Sequence, residues 1–136
     1  MSVISTPQDY FIIVIDPHTQ VCEALRATLD YWGFQVLPVN TIREAEHQMQ
    51  IHNFIPHVVI IDLPLSEAEG DISFVMGIEE FLERCDLSIP VITMTGNADD
   101  QYRAAVEDKG WAYLLKPFTA NALFSALTAI AGWRVH

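Results

Sequence analysis

Val58-Val59-Ile60-Ile61, closed by Asp62, is an unbroken run of β-branched apolar residues with no polar alternation. A strand apolar on both of its faces is buried on both, as in a parallel sheet covered by helices. Phe11-Ile12-Ile13-Val14-Ile15, closed by Asp16, reads the same way. Three further strand-sized runs are Phe34 to Val39, Val91 to Met94 and Ala112 to Leu115.

Helix-sized segments separate these runs. Val21, Leu25, Thr28 and Leu29 recur at helical spacing ahead of Gly33, a natural stop. Thr41 followed by Glu44 predicts a capping box, with Ile42, Ala45 and Met49 on the apolar face behind it. A helix from about Ile72 to Cys85 is expected to bury Val75, Ile78 and Leu82. One from about Ala98 to Asp108 is expected to bury Ala105 and Val106 before Gly110 ends it, and a last one after Thr119 carries the stripe Leu123, Leu127 and Ile130. Strand and helix alternating in this way predict an α/β, doubly wound five-stranded parallel sheet with helices on both faces. The chain of 136 residues reads as one domain, with its core at about 10 to 131 and no output domain.

Composition narrows the function. Seven Lys and Arg against 18 Asp and Glu give a formal charge of -11, which argues against nucleic acid or an anionic membrane as partner and favours a basic site on another protein. The N-terminus has no basic leader region, and apolar runs of about five residues fall far short of the ~20 that span a bilayer. Cys22 and Cys85 form no CxxC and no zinc motif, so a cytoplasmic location and buried thiols are expected. Glu79, Glu80 and Glu83 read as a solvated helix face, and Trp32, Trp111 and Trp133 as packing residues near helix ends.

In a doubly wound sheet ligands bind beyond the carboxyl ends of the strands, where the strand order reverses. The residues at those ends are Asp16, Asp62, Thr95 and Lys116. Two carboxylates, a hydroxyl and an ammonium suit a divalent metal and a phosphoryl group. Carboxylate oxygen is a hard ligand for Mg²⁺, a second carboxylate can attack phosphorus, and Lys and Thr can hold the phosphoryl oxygens.

The pieces Phe-Ile-Ile-Val-Ile-Asp16, His-Val-Val-Ile-Ile-Asp62 with Gly70 eight residues on, Pro90-Val-Ile-Thr-Met-Thr95-Gly96 and Tyr113-Leu-Leu-Lys116-Pro117-Phe118 stand in one order. In that order the chain resembles the receiver domain of two-component response regulators over about Tyr10 to Ile130. The resemblance implies the strand order 2-1-3-4-5, Asp62 as phosphoacceptor, Asp16 as the first acidic residue of a Mg²⁺ pocket, Thr95 as the phosphate-sensing hydroxyl and Lys116 as the phosphate contact. It makes Tyr113 the switch aromatic, with the fourth helix, fifth strand and fifth helix as the face read by a downstream protein. It also implies a cis peptide between Lys116 and Pro117. A histidine kinase or histidine phosphotransfer protein would supply the phosphoryl group. The module would be a signalling phosphoacceptor rather than an enzyme, stand-alone or cut from a hybrid kinase, whose receivers Leu29 to Gly33 resembles.

Two departures touch the metal. Pro17 stands where the family has a second acidic residue, so Mg²⁺ is expected to bind more weakly; His18 or Glu69 could assist only through water, imidazole being a poor Mg²⁺ ligand. Beyond Asp62 the family's Met-Pro is replaced by Leu65-Ser66, while Pro64 keeps the backbone carbonyl expected to reach the metal. Pro64 and Asn97 are the positions expected to set the lifetime of phosphorylated Asp62. The alternative reading is a phosphorylation-independent module of receiver shape that binds proteins through a fixed surface. Flavin-binding or hydrolytic chemistry on the same fold is a third reading, and GxSxG is not present to support hydrolysis.

Overall fold

The computed structural model describes residues 10–62, 73–96 and 100–131. Strands β1 (Phe11–Ile15), β2 (Gln35–Val39), β3 (Val58–Asp62), β4 (Val91–Thr95) and β5 (Ala112–Leu115) alternate with helices α1 (Thr19–Tyr31), α2 (Ile42–His52), α3 (Ser73–Arg84), α4 (Asp100–Asp108) and α5 (Ala120–Ala131). All pairings are parallel and the order is β2-β1-β3-β4-β5. No helix among the described residues is long and apolar enough to cross a membrane.

Strand parity divides the core into two layers. Ile12, Val14, Val58, Ile60, Ile92, Met94 and Leu114 meet Cys22, Leu25 and Leu29 of α1 and Leu123 and Leu127 of α5. Ile13, Ile15, Val59, Ile61 and Val91 face Ala45, Met49, Ile78, Phe81 and Val106 of α2, α3 and α4. Both faces of the central strands are therefore dry, as their unbroken apolar runs require. Pro38, which has no N–H for the ladder, sits in β2, an edge strand.

The helix ends explain where the expected boundaries shift. Gly33 adopts φ 97°, and α1 closes with Gly33 N–H bonded to Asp30 O and Phe34 N–H to Leu29 O, the paired bonds of a Schellman cap. Phe34 is thereby held by the cap, and β2 starts one residue later than expected. Gly110, φ 78°, ends α4 in the same way, with Trp111 N–H on Val106 O. At α2 the Thr41 hydroxyl accepts the Glu44 N–H at 3.0 Å, but the Glu44 carboxylate returns to Asn40 N–H rather than to Thr41, so the box closes one residue early.

Three packing expectations change. In α3 the third buried residue is Phe81, with Leu82 half-buried, because the larger ring takes the centre of the layer. In α4 the buried pair is Tyr102 and Val106, one turn apart, and Ala105 is half-buried. Cys85 is half-buried whereas Cys22 is buried. The Ile130 side chain lies outside what is described.

Candidate functional site

β1 leaves toward β2 on one side and is flanked by β3 on the other, so the crevice of the reversed strand order opens above their carboxyl ends. Asp62 is the last residue of β3, Thr95 the last of β4, and Asp16 and Lys116 directly follow β1 and β5. The Lys116 ammonium joins the first pair of carboxylates: Nζ donates to Asp62 Oδ1 at 2.5 Å and to Asp16 Oδ2 at 3.0 Å. Residues 100 and 54 positions apart in the chain thus meet at one point.

Asp16 has no exposed surface, so its charge has to be satisfied by the protein. Its Oδ1 accepts the His18 backbone N–H at 2.8 Å and lies 3.2 Å from His18 Nδ1, while Oδ2 takes Lys116. Its backbone is tied to β2: Asp16 N–H donates to Val39 O at 3.0 Å. The Asp16 carbonyl in turn accepts Asn40 Nδ2 at 2.9 Å and the Cys22 thiol at 3.2 Å. Asn40 is the residue that sequence reasoning missed. Its signal is its place, an amide at the carboxyl end of a strand immediately before a helix-capping Thr.

Burial raises the Asp62 carboxyl above its ordinary range and the neighbouring Asp16 charge adds to this, against the opposing pull of the Lys116 ammonium. Burial pushes Lys116 down, but its bonds to Asp62 and Asp16 outweigh that, and its pKa is raised. Burial also lifts the Cys22 thiol, with the Asp16 charge adding, which keeps it protonated and donating. With two carboxylates and one ammonium, the cluster carries one net negative charge.

Thr95 is buried beside β3, and its carbonyl accepts the Lys116 N–H at 2.7 Å, fixing the start of the β5–α5 turn. Tyr113 stands apart from the charged cluster. It is half-buried on β5, packed toward the α2–α3–α4 layer, with the Arg103 guanidinium of α4 6.0 Å from its ring centre. The Lys116–Pro117 peptide is cis. Pro64, Glu69, Gly70 and Asn97 lie outside the described residues.

The donor set fits a hard dication in part. Asp16 and Asp62 supply carboxylate oxygen, which suits Mg²⁺ held by one or two carboxylates and water. Pro17 contributes no side-chain donor. With Ile42, Ile61, Phe74, Gly77 and Ile78 it lines an apolar hollow of about 300 Å³ that reaches Asp62. Among the described residues no three His, Cys, Asp or Glu side chains already stand together at metal-ligand spacing.

Residues 12–128 match the family described as the response regulator receiver domain. The chain belongs to that family. The transcriptional regulatory protein KdpE of Mycobacterium tuberculosis is 31% identical over 119 residues, covering 87% of this chain and 49% of KdpE. The C4-dicarboxylate transport transcriptional regulatory protein DctD of Pseudomonas aeruginosa is 28% identical over 117 residues, 85% of this chain and 24% of DctD. The crystal structure of a response regulator receiver protein from Burkholderia phymatum has the same fold, with a TM-score of 0.74 at 23% identity over 93% of this chain and 98% of that one. This receiver domain therefore spans about half the length of KdpE and a quarter of DctD. Receiver domains are signalling modules of two-component systems; they bind Mg²⁺ at the phosphorylation site and interact with histidine kinases or phosphotransfer proteins.

Proposed function

We propose that Asp62 accepts a phosphoryl group from a phosphohistidine of a histidine kinase or histidine phosphotransfer protein. The observation that carries this reading is the single ammonium, Lys116, donating to both Asp62 and Asp16 at the carboxyl edge of the sheet. A carboxylate oxygen of Asp62 forms a bond to phosphorus as the bond from phosphorus to the histidine nitrogen breaks, and the imidazole leaves with the electron pair. Lys116 then exchanges its contact with Asp62 for the phosphoryl oxygens, where its charge offsets theirs. Asp16, held in place by the His18 N–H and the Asn40 amide, keeps that ammonium aimed.

Mg²⁺ bound by Asp16, Asp62 and the Pro64 carbonyl would neutralise charge on the transferring group, and Pro17 weakens that binding. Thr95 senses the phosphoryl group through its hydroxyl, and Tyr113 with Arg103 reports the change on the α4–β5–α5 face to a downstream protein, a shift between two populations. An apolar groove of about 640 Å³ between α1 and the start of α5, with Lys116 at one end, offers the phosphodonor a dry surface beside the acceptor. The acidic balance of -11 suits basic protein partners in the cytoplasm.

Intact-mass spectrometry after incubation with acetyl phosphate, with and without Mg²⁺, tests the reading. The expected result is a gain of one phosphoryl group that needs Mg²⁺ at elevated concentration and vanishes in Asp62→Asn. No gain from acetyl phosphate, nor from a phosphorylated histidine phosphotransfer protein, would replace it with a phosphorylation-independent binding module.

A further inference from the structure

We infer that Asn40, oriented by Glu44, is a positioning residue for phosphoryl transfer to Asp62, acting through Asp16 and Lys116. The inference rests on the phosphoacceptor reading. Pro17 leaves Asp16 the only carboxylate at the end of β1, so the aim of Lys116 depends on how the Asp16 backbone is held. Pro17 also has no N–H with which to anchor the turn, which leaves that task to side chains. Consecutive residues at the end of β2 grip Asp16 at both of its peptide groups. Val39 O accepts the Asp16 N–H at 3.0 Å, and Asn40 Nδ2 donates to the Asp16 carbonyl at 2.9 Å. The Cys22 thiol also donates to that carbonyl, at 3.2 Å, but it is a weak donor shared with Val39 O at 3.3 Å, so the amide is the stronger hold.

The amide is itself aimed. Thr41 is the N-cap of α2, and the returning bond of a capping box ordinarily goes to the N-cap N–H. Here Glu44 Oε2 instead accepts the Asn40 N–H at 3.2 Å, which fixes the very residue whose side chain reaches Asp16. The Asn40 amide nitrogen also lies 3.5 Å from Thr19 Oγ1, an acceptor on the same side as the Asp16 carbonyl, which favours this orientation of the amide. A continuous path thus runs from α2 to the reacting oxygen: Glu44 to Asn40, Asn40 to Asp16, Asp16 to Lys116 and Lys116 to Asp62. Loss of the amide frees the Asp16 peptide to shift. A displacement of about 1 Å in the groups around a reacting atom can slow a reaction by up to about 100-fold.

The test is the initial rate of Asp62 phosphorylation in the full chain across acetyl phosphate concentration, at saturating Mg²⁺. Asn40→Leu keeps the volume and removes the donor. It is expected to lower the maximal rate by about tenfold while the half-saturating donor concentration stays within about twofold. Glu44→Ala is expected to lower the maximal rate by about threefold, and Glu44→Gln, which keeps an acceptor oxygen, to restore most of that loss. In the Asn40→Leu background Glu44→Ala is expected to have no further effect, whereas independent losses of packing would add. A parent-like rate in Asn40→Leu, a change confined to the half-saturating concentration, or additive losses would each overturn the inference and leave the phosphoacceptor reading in place. Glu44 is exposed, so its two variants decide the question even if Asn40→Leu does not fold: equal rates in Glu44→Ala and Glu44→Gln would overturn the inference. A parent chain that takes no phosphoryl group from acetyl phosphate or from a phosphorylated phosphotransfer protein would overturn the phosphoacceptor reading, and the inference with it.

Discussion

The two flanks of Asp62 are built on opposite principles. On one, Lys116 and the fully buried Asp16 form a charged, hydrogen-bonded cluster pinned from β2 by Asn40 and from α1 by Cys22. On the other, Pro17, Ile42, Phe74, Gly77 and Ile78 enclose an apolar hollow. The charged flank carries its cation covalently, as a side chain, whereas the apolar flank has Pro17, which offers no side-chain donor to an ion. On the proposed phosphoacceptor role, the phosphoryl group would replace the one carboxylate charge of Asp62 with close to two, taking the cluster from one net negative charge to about two. Lys116 alone would not balance that sum.

The largest effect is expected from breaking the charged flank. Lys116→Ala leaves two carboxylates facing each other, one of them with no exposed surface. Removing one partner of a buried ion cluster costs about 3 kcal/mol, the lower end of the usual range because Lys116 is partly exposed. Urea denaturation at pH 7 measures it. Adding Asp62→Asn to Lys116→Ala is expected to return part of the loss, and an additive double mutant would show that the two side chains are not coupled.

A smaller effect follows from Asp62 itself. Its folded-state pKa is raised above the unfolded value, so the stability linked to its proton is full below the unfolded value and is lost as pH rises through the folded one. At neutral pH the ionised Asp62 is therefore a net cost. Asp62→Asn is expected to raise the Tm at pH 7, with the gain shrinking toward zero as pH falls below the ordinary carboxylate range. Lys116, also raised, acts with the same sign at the alkaline end: its contribution is full below its ordinary value and is lost as pH climbs through the higher folded one. A Tm for Asp62→Asn that equals or falls below that of the parent at pH 7 would refute the sign.

The charged flank was more legible in the sequence than the apolar one. Strand runs that end in Asp16, Asp62 and Lys116 place those residues at one sheet edge once the topology is known, and topology follows from dry central strands alternating with helices. Asn40 was hidden because its contact is with a backbone carbonyl 24 residues away, which leaves no periodic trace. In α3, helical spacing indicates a face, but side-chain size decides its centre, so Phe81 rather than Leu82 is buried. The same holds in α4, where Tyr102 rather than the smaller Ala105 is buried, at 1% exposed.

Tyr102 sharpens the comparison from the apolar side. Its ring lies 4.8 Å from Phe74, which lines the hollow, and its hydroxyl is buried without a hydrogen-bond partner among the described residues. A buried donor left unmet is costly, so Tyr102→Phe, which keeps the ring and removes the hydroxyl, is expected to stabilise by about 1 kcal/mol. Chemical denaturation showing a loss instead would mean that the hydroxyl is satisfied and that this flank is less dry than the geometry indicates.

The smallest effect belongs to Gly77, in the interior of α3 on the wall of the hollow. A Cβ built there meets nothing within 4 Å, so no close approach requires glycine. Gly77→Ala removes the backbone-entropy cost of a mid-helix glycine and is expected to raise stability by about 0.5 to 1 kcal/mol. The added methyl points into open space beside Asp62 and touches none of the charged groups. Phosphorylation of Asp62 from acetyl phosphate should therefore be unchanged at saturating Mg²⁺. If the variant is more stable yet its phosphorylation slows, the hollow is not idle space: its volume takes part in the reaction, and the division between a working charged flank and a passive apolar one fails.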